Sequence, residues 1–252
     1  MMRTIAIIPA RMASSRFPGK PLALLHGRPM IEHVFRAAKL CDVLDAVYVA
    51  TCDQDIRKTV EGFGGNAIMT SSGHERASDR VAEAADLIDA AAGQTSDIVV
   101  MLQGDEPMIK AEMITAAVAP MLAHPGVQCV NLVRRIVSRK HYEDPNTIKV
   151  VMNNQSEALY FSRAAIPSFE LISEENIASY KQVCVIPFRR QFLREFSRMR
   201  PTPLEQIESI DMLRALEHGH KVHLVETEID THAVDSIEDL RLVESLMSRL
   251  DF

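Results

Sequence analysis

The sequence has no long apolar run: no stretch approaches the roughly 18 residues that a membrane-spanning helix requires. Its first three residues, Met-Met-Arg, lead directly into a strand-like segment, without the apolar region and cleavage site of a signal peptide. Positive charge is not in excess either, because the net charge at pH 7 is -6, which disfavours a broad nucleic-acid-binding surface. We therefore expect a cytoplasmic protein that binds neither membranes nor nucleic acids.

The cysteines are few, widely spaced and without a C-x-x-C pair; they are Cys41, Cys52, Cys129 and Cys184. Four cysteines could form two bridges, but the absence of secretory features favours reduced, packed thiols. Repeats, low-complexity tracts and obvious linkers are also absent from the sequence. A chain of 252 residues can bury a full core, so a single large domain spanning residues 1–252 is predicted.

Apolar segments of strand length alternate with segments of helical spacing through the first half of the chain. The strand-like segments are Ile5–Ile8, Ala46–Ala50, Asn66–Met69, Ile98–Leu102 and Val127–Leu132. The helix-like segments are Met30–Ala38, Ile56–Phe63, Ser78–Asp89 and Ala111–Leu122. This alternation predicts an α/β fold with a mainly parallel, doubly wound central sheet.

The pattern changes after about residue 133. The stretch TIKVVMNNQSEALYFSR, residues 147–163, predicts a β-hairpin around an Asn-Asn turn. A helix is predicted over residues 203–218 with Gly219 as its C-cap, and a strand follows over residues 221–227. The last helix is predicted to begin after Ser236, with Asp239 in the capping-box position. We expect a hairpin-rich insertion subdomain at about residues 134–200.

A loop rich in cations follows the first strand-like segment. The stretch IIPARMASSRFPGKPL, residues 7–22, contains three of them: Arg11, Arg16 and Lys20. The phosphate-binding loop of ATPases requires Gly-x4-Gly-Lys-Ser/Thr, in which the last hydroxyl holds Mg²⁺. Here Ser14 stands at the first glycine position and Pro21 follows the lysine, which excludes the ATPase motif. The position of the loop after a buried strand still predicts a phosphate site, because ligands of α/β sheets bind at the carboxyl ends of strands.

A second turn presents a carboxylate at the end of a buried strand. The segment Ile98–Leu102 leads into Gln103, Gly104 and Asp105. Glycine allows the chain to turn, and Asp105 then stands at the carboxyl end of the strand. A hard oxygen ligand at this place suits Mg²⁺ in phosphoryl or nucleotidyl transfer. The alternative interpretation is a Gly-Asp turn with no further role.

Two further polar segments have structural explanations of their own. Asp235 precedes the last helix, where a carboxylate commonly serves as a cap. The stretch MTSSGHERASDR, residues 69–80, opens another helix, with Ser78 as a candidate cap and Asp79 near the positive end of the helix dipole. Each segment by itself is compatible both with a ligand site and with an ordinary helix start.

Taken together, these segments resemble one family, the CMP-Kdo synthetases or 3-deoxy-manno-octulosonate cytidylyltransferases. The resemblance extends from about Ile5 to Val243 and includes the first loop, MTSSGHERASDR, LQGDEPMI, ALYFSRAAIP, LEQIE and VDSIEDL, in matching order. It implies a Rossmann-like nucleotidyltransferase fold with the insertion as a dimerisation subdomain of a homodimer. It also implies transfer of CMP from CTP to a keto-sugar acid, Kdo or a Kdo-like acid, with Mg²⁺ as cofactor and release of pyrophosphate.

The resemblance also assigns roles to individual residues. Catalytic roles fall to Arg11, Arg16, Lys20 and Asp105. Nucleotide binding falls to Arg11, Ser14, Arg16, Lys20, Ser78, Arg80 and Gln103. The sugar acid is expected at Gln182, Ile186, Glu205 and Gln206. The metal is expected at Asp105 and Asp235.

Two segments depart from the family pattern. Where the family has His-x-Ser-Gly-Thr-Asp/Glu-Arg, this chain has Arg76 and Ala77, which add bulk and charge beside the nucleotide. Where the family has an HLGIYGYR-like strand, this chain has QVCVIPFR, so that Gln182 and Ile186 replace a histidine and a tyrosine. A buried polar contact contributes roughly 1–3 kcal/mol to recognition, enough to alter substrate preference. CMP transfer to a different small carboxylate or phosphonate, or nucleotide binding without turnover, are the alternatives.

Overall fold

The computed structural model describes residues 2–13, 17–168 and 178–248. The chain divides into two compact units: the first combines Met1–Thr115 with Asp230–Phe252, and the second is Ala116–Ile229. The second unit is wider than the predicted insertion at about residues 134–200 and encloses it. The assignment of that narrower segment as an insertion subdomain stays a prediction.

The described residues form the following strands and helices. The strands are β1 (Thr4–Ala10), β2 (Leu24–Leu25), β3 (Arg28–Pro29), β4 (Ala46–Thr51), β5 (Asn66–Met69), β6 (Ile98–Leu102), β7 (Val130–Arg135), β8 (Lys149–Met152), β9 (Ala158–Ser162), β10 (Tyr180–Val183), β11 (Val185–Arg189) and β12 (His223–Glu226). The helices are α1 (Met30–Lys39), α2 (Gln54–Gly62), α3 (Ala77–Ala92), α4 (Ala111–Ala123), α5 (Arg139–Glu143), α6 (Arg190–Phe196), α7 (Pro203–Glu208), α8 (Met212–Glu217) and α9 (Ile237–Met247). No helix among them is long and apolar enough to cross a membrane.

The first unit contains four parallel strands in the order β6-β1-β4-β5. All residues of β1 and β6 are buried, as expected for central strands of a parallel sheet with both faces covered. The predicted bounds of β5 and β6 are reproduced without change, and β1 and β4 extend beyond theirs. The mainly parallel sheet predicted from the sequence is therefore confirmed, and the carboxyl ends of its strands meet at one edge.

The last helix, α9, begins as predicted. Ser236 is its N-cap, and its hydroxyl accepts a hydrogen bond from the N–H of Asp239, whose carboxylate reaches back to the N–H of Ser236. One face of the helix is buried through Val243 and Met247, in a cluster that also contains Leu25, Met30, Met108 and Val234. The start of α9 is thus held at a defined place in the first unit.

The second unit is built on a sheet with the strand order β12-β7-β10-β8-β9. The predicted hairpin is confirmed: β8 and β9 are antiparallel neighbours, with a register shift at Met152. Strand β7 begins three residues later than the sequence predicts and runs on to Arg135. The four cysteines are thiols, in agreement with the sequence-based expectation.

The prediction of a single helix over residues 203–218 is wrong, because this segment forms two helices, α7 and α8. Ser209 adopts the left-handed conformation, with φ 55°, and ends α7, while the next residue, Ile210, is buried. A continuous helix would keep the 3.6-residue period, whereas the break allows Ile210 to turn into the core. Gly219, with φ 81°, ends α8 just after its C-cap His218, consistent with the predicted glycine stop.

Candidate active site

The first loop ends in a turn that fixes Lys20. Gly19 has φ 74°, which favours glycine, and its N–H donates to the carbonyl of Met12 at 3.1 Å. A single turn of 3₁₀-helix, Lys20–Leu22, follows directly. The loop therefore closes on itself at Met12, and Lys20 stands at the start of the next element.

A second contact holds the beginning of the same loop. The N–H of Met12 donates to Asp53 Oδ2 at 2.8 Å, and Asp53 is the residue just before α2. Arg11, at the end of β1, is exposed. Ser14 and Arg16, both predicted to bind the nucleotide, lie outside the described residues. Sequence reasoning missed Asp53, because its partner Met12 belongs to a distant part of the chain.

The turn after β6 brings the backbone of Gly104 close to a side chain of α1. A Cβ atom on Gly104 would lie 2.9 Å from Cδ1 of Ile31, on α1. The N–H of Glu106 donates to the carbonyl of Gln103 at 3.3 Å and closes the turn. Asp105, between them, is half-buried at the carboxyl end of β6, as the sequence predicts.

The segment before α9 lies against this turn. The N–H of Val234 donates to the carbonyl of Asp105 at 2.8 Å, and the Val234 side chain is fully buried in the cluster beneath α9. Asp235 follows immediately. Two carboxylates far apart in sequence are thereby brought to the same edge of the sheet.

Lys20 joins the two carboxylates. Its Nζ lies 2.7 Å from Asp105 Oδ2 and 3.2 Å from Asp235 Oδ1. The lysine side chain is 14% exposed and the two carboxylates 28% and 29%, so the group is partly shielded from water. Burial by itself lowers the pKa of Lys20, but the charges and hydrogen bonds of Asp105 and Asp235 together outweigh it and raise the pKa above its ordinary value. Lys20 is therefore a permanent cation at neutral pH.

The donor set suits a hard divalent ion that is shared with a ligand. Among the described residues there is no group of three or more His, Cys, Asp or Glu side chains that could hold a metal alone. Mg²⁺ is commonly bound through one or two carboxylates together with waters and phosphate oxygens. Asp105 and Asp235, which meet at one ammonium group, provide two such carboxylates. The residues present therefore fit Mg²⁺ bound together with a phosphorylated substrate.

The segment after β5 forms a second part of the first unit's strand-end edge. Arg80 is buried, and its Nη1 donates to Thr70 Oγ1 at 2.6 Å and to the carbonyl of Ser71 at 3.2 Å. Ser78 is also fully buried. Helix α3 begins at Ala77 with Arg76 as its N-cap, so the prediction of Ser78 as the cap is wrong. Arg80 thus anchors the turn at residues 70–71.

Glu83 holds the other end of that segment. Its carboxylate accepts from the N–H of Ser71 at 2.9 Å and makes a short hydrogen bond with the His74 ring. Burial by itself raises the pKa of Glu83, but the Ser71 N–H and His74 outweigh it and hold the pKa below its ordinary value of 4.5. Sequence reasoning missed Glu83, which reads as an ordinary residue of an amphipathic helix.

Comparisons with known proteins identify the family. The family model described as "Cytidylyltransferase" matches residues 5–226. The chain is 42% identical to the 3-deoxy-manno-octulosonate cytidylyltransferase of Geobacter metallireducens, over 98% of this chain and 99% of that protein. It is 43% identical to the enzyme of the same name from Geobacter sulfurreducens, over 96% and 98%. The chain belongs to the 3-deoxy-manno-octulosonate cytidylyltransferase family. It is therefore a nucleotidyltransferase.

Solved structures agree with this family membership. The structure of CMP:2-keto-3-deoxy-manno-octonic acid synthetase complexed with CTP superposes with a TM-score of 0.87 at 35% identity, covering 98% of this chain and 99% of that one. A cytidylyltransferase from Leptospira borgpetersenii, only 17% identical, shares the fold with a TM-score of 0.66. The nucleotidyltransferase fold that the sequence resemblance implied is confirmed.

The residues that the family resemblance assigns to the sugar acid lie in the second unit. Gln182, on β10, is half-buried, and its Nε2 donates to Asn131 Oδ1 at 2.6 Å. Ile186, on β11, is only 3% exposed. Gln206, on α7, is exposed. Contact of these residues with a sugar acid stays a prediction.

Glu205 has an extensive set of partners within its own unit. Its carboxylate is fully buried and accepts from Nε and Nη2 of Arg214 at 2.8 Å and 2.6 Å. It also accepts from the N–H of Thr202 at 3.3 Å. This two-point ion pair joins α7 to α8. The predicted sugar-acid contact of Glu205 would have to coexist with it.

Proposed function

We propose that this protein transfers CMP from CTP to Kdo or a Kdo-like keto-sugar acid and releases pyrophosphate, in a reaction that depends on Mg²⁺. The observation that carries the proposal is the placement of Lys20 between Asp105 and Asp235 at the strand-end edge of the first unit. The family membership supports the choice of CTP and of the acid, because relatives about 40% identical are named for this reaction.

The charge of the substrates explains why cations must gather at this loop. A CTP triphosphate carries about four negative charges, and the acceptor brings a carboxylate. Two unit charges 4 Å apart interact by about 4 kcal/mol at an effective dielectric constant of 20, so uncompensated repulsion would prevent their approach. In the proposed complex Lys20 and Arg11 offset the charge of the triphosphate, together with Arg16 as the sequence predicts.

In the proposed reaction a hydroxyl oxygen of the sugar acid forms a bond to the α-phosphorus of CTP, and the bond from that phosphorus to the pyrophosphate oxygen breaks. The hydroxyl proton passes to solvent. Such transfers depend mainly on positioning and charge stabilisation rather than on covalent catalysis. Mg²⁺, when bound by Asp105 and Asp235, would supply Lewis-acid activation of the phosphate and the hydroxyl. Lys20 stabilises the negative charge on the departing pyrophosphate.

The nucleotide is proposed to bind beside the turn after β6 and the 70–80 segment. Gln103 stands at the carboxyl end of β6, where its half-buried amide is available for polar contact. Arg80 contributes indirectly, because its guanidinium already donates to Thr70 and Ser71 and so fixes the shape of the segment. Ser78, fully buried in the first turn of α3, supports the same segment.

The acceptor is proposed to meet the second unit at Gln182 and Ile186, with Glu205 and Gln206 nearby. The substitution of Gln182 and Ile186 for the family's histidine and tyrosine is the basis for testing acids beyond Kdo. We further propose that the protein acts in the cytoplasm as a homodimer, with residues of the 134–200 segment at the interface. Sedimentation of the purified protein at several concentrations checks the dimer.

The decisive experiment is pyrophosphate release with CTP and Mg²⁺ across a panel of acids that includes Kdo, its amino and deoxy analogues, and small phosphonates. Each of the other nucleoside triphosphates is tried with Kdo as a control for nucleotide choice. Rapid release with Kdo and CTP is expected. Pyrophosphate release only with another acid would replace Kdo as the assigned acceptor. CTP binding without pyrophosphate release in the presence of any acid would refute the proposed activity.

A further inference from the structure

Asp239 makes an unusual set of contacts around Asp235. Its Oδ2 atom accepts hydrogen bonds from the N–H of Asp235 at 3.1 Å, and from the N–H and the hydroxyl of Ser236, both at 2.9 Å. Its other oxygen, Oδ1, lies 3.4 Å from Nε2 of His232. One carboxylate thus binds the peptide N–H groups on both sides of the Asp235 Cα atom.

Two of these contacts fix the backbone dihedral angles of Asp235. The N–H of Asp235 belongs to the peptide group before its Cα atom, and the N–H of Ser236 belongs to the peptide group after it. Because both donate to the same oxygen, rotation about either φ or ψ of Asp235 would break a hydrogen bond. The direction in which the Asp235 side chain leaves the backbone is therefore set by Asp239.

The contact with Asp235 is more than helix capping requires. A capping box needs only the N–H of the N-cap residue, here Ser236, to reach the carboxylate. The additional bond goes to the residue before the cap. On the far side, the N–H of Val234 is held by the carbonyl of Asp105. Asp235 therefore lies between one fixed point at Asp105 and another at Asp239.

We infer that Asp239 is a positioning residue for the metal-binding carboxylate of Asp235, so that its loss weakens binding of the divalent ion. This inference rests on the proposed metal role of Asp235. Partners that orient metal ligands typically account for about 10- to 100-fold in metal affinity. Asp239→Ala should accordingly weaken metal binding by about 10-fold or more.

Ser236→Ala is the matched control for the structural role of the cap. It removes the hydroxyl that accepts from the N–H of Asp239 and donates to its Oδ2, but it leaves both backbone N–H groups next to the Asp239 carboxylate. Ser236→Ala and Asp239→Ala should each lower the unfolding midpoint by roughly 2–4 °C through the loss of capping. Glu238→Gln, at an exposed position beside Asp239, controls for the loss of one negative charge.

The readout is binding of Mn²⁺ to the full chain in the presence of CTP and without a sugar acid, followed by electron paramagnetic resonance. Asp239→Ala should bind Mn²⁺ at least 10-fold more weakly than the wild type, whereas Ser236→Ala and Glu238→Gln should bind within about 2-fold of it. Asp239→Asn keeps one acceptor oxygen without the charge, so it should fall between the wild type and Asp239→Ala. Thermal unfolding of each variant is measured alongside.

Three outcomes would overturn the inference. Equal weakening in Ser236→Ala and Asp239→Ala would show that only the helix cap matters. Unchanged Mn²⁺ binding in Asp239→Ala, or in Asp239→Asn should the alanine variant not fold, would show that the contact does not position the ligand. Asp235→Asn tests the metal role of Asp235 separately from the positioning role of Asp239. If it leaves Mn²⁺ binding unchanged, the proposed metal role fails, and the inference fails with it.

Discussion

Replacing Glu205 with glutamine tests whether this residue serves the fold or the substrate. The wild-type carboxylate is fully buried and is bound at two points by Arg214. Glutamine has nearly the same volume, so the change leaves no cavity. It does leave the Arg214 guanidinium buried without its countercharge.

The expected loss of stability follows from that uncompensated charge. Removing one partner of a buried ion pair costs about 3–5 kcal/mol. Each kcal/mol lowers the unfolding midpoint of a chain of about this length by roughly 2–4 °C, so Glu205→Gln should lower it by roughly 6–20 °C. Arg214→Met should have a similar effect, because it leaves the carboxylate buried instead. Exchanging both residues for methionine should recover much of the lost stability, since no charge then remains buried.

Thermal unfolding of the three variants, with steady-state kinetics well below each midpoint, provides the assay. In the folded Glu205→Gln protein the KM for the sugar acid should stay within a few-fold of the wild-type value. A variant with a wild-type midpoint and a KM raised by 10-fold or more would refute the reasoning. Glu205 would then be a substrate contact, and the ion pair would contribute little to stability.

Three further predictions concern the first unit. Asp105→Asn and Asp235→Asn should each abolish pyrophosphate release; a near wild-type rate at limiting Mg²⁺ in either variant would contradict the metal assignment. Lys20→Met should reduce turnover by at least 100-fold, because a cation near the departing pyrophosphate is lost. The unfolding midpoint in the absence of CTP should change little. Glu83 has a lowered pKa, so its stabilising contribution is present above about pH 4.5 and is lost as the pH falls through the folded-state pKa. Glu83→Gln should therefore flatten the acid limb of the stability curve, measured by denaturant titration between pH 3 and 7.

Local patterns were sufficient for most of the secondary structure. The apolar segment Ile98–Leu102 and the capping sequence around Ser236 are short-range features, and both elements appear as predicted. The helix predicted over residues 203–218 failed because its periodicity gives no warning of the break at Ser209. That break depends on the burial of Ile210, and on the Glu205–Arg214 pair that joins the two resulting helices.

The sequence by itself determined the family and the parallel sheet, and it marked Lys20, Asp105 and Asp235 as candidate site residues, because each follows from residue order, apolar period or motif. Only the tertiary structure decided which groups hold the segments around the site in place. Asp53 and Glu83 accept from the backbone N–H groups of Met12 and Ser71, and no local pattern marks these bonds. The capping bond of Asp239 to Ser236 was predictable from the sequence, but its additional bond to the N–H of Asp235 was not. Whether a carboxylate is simply solvated or holds another segment in place depends on which backbone N–H group folding brings within about 3 Å of it.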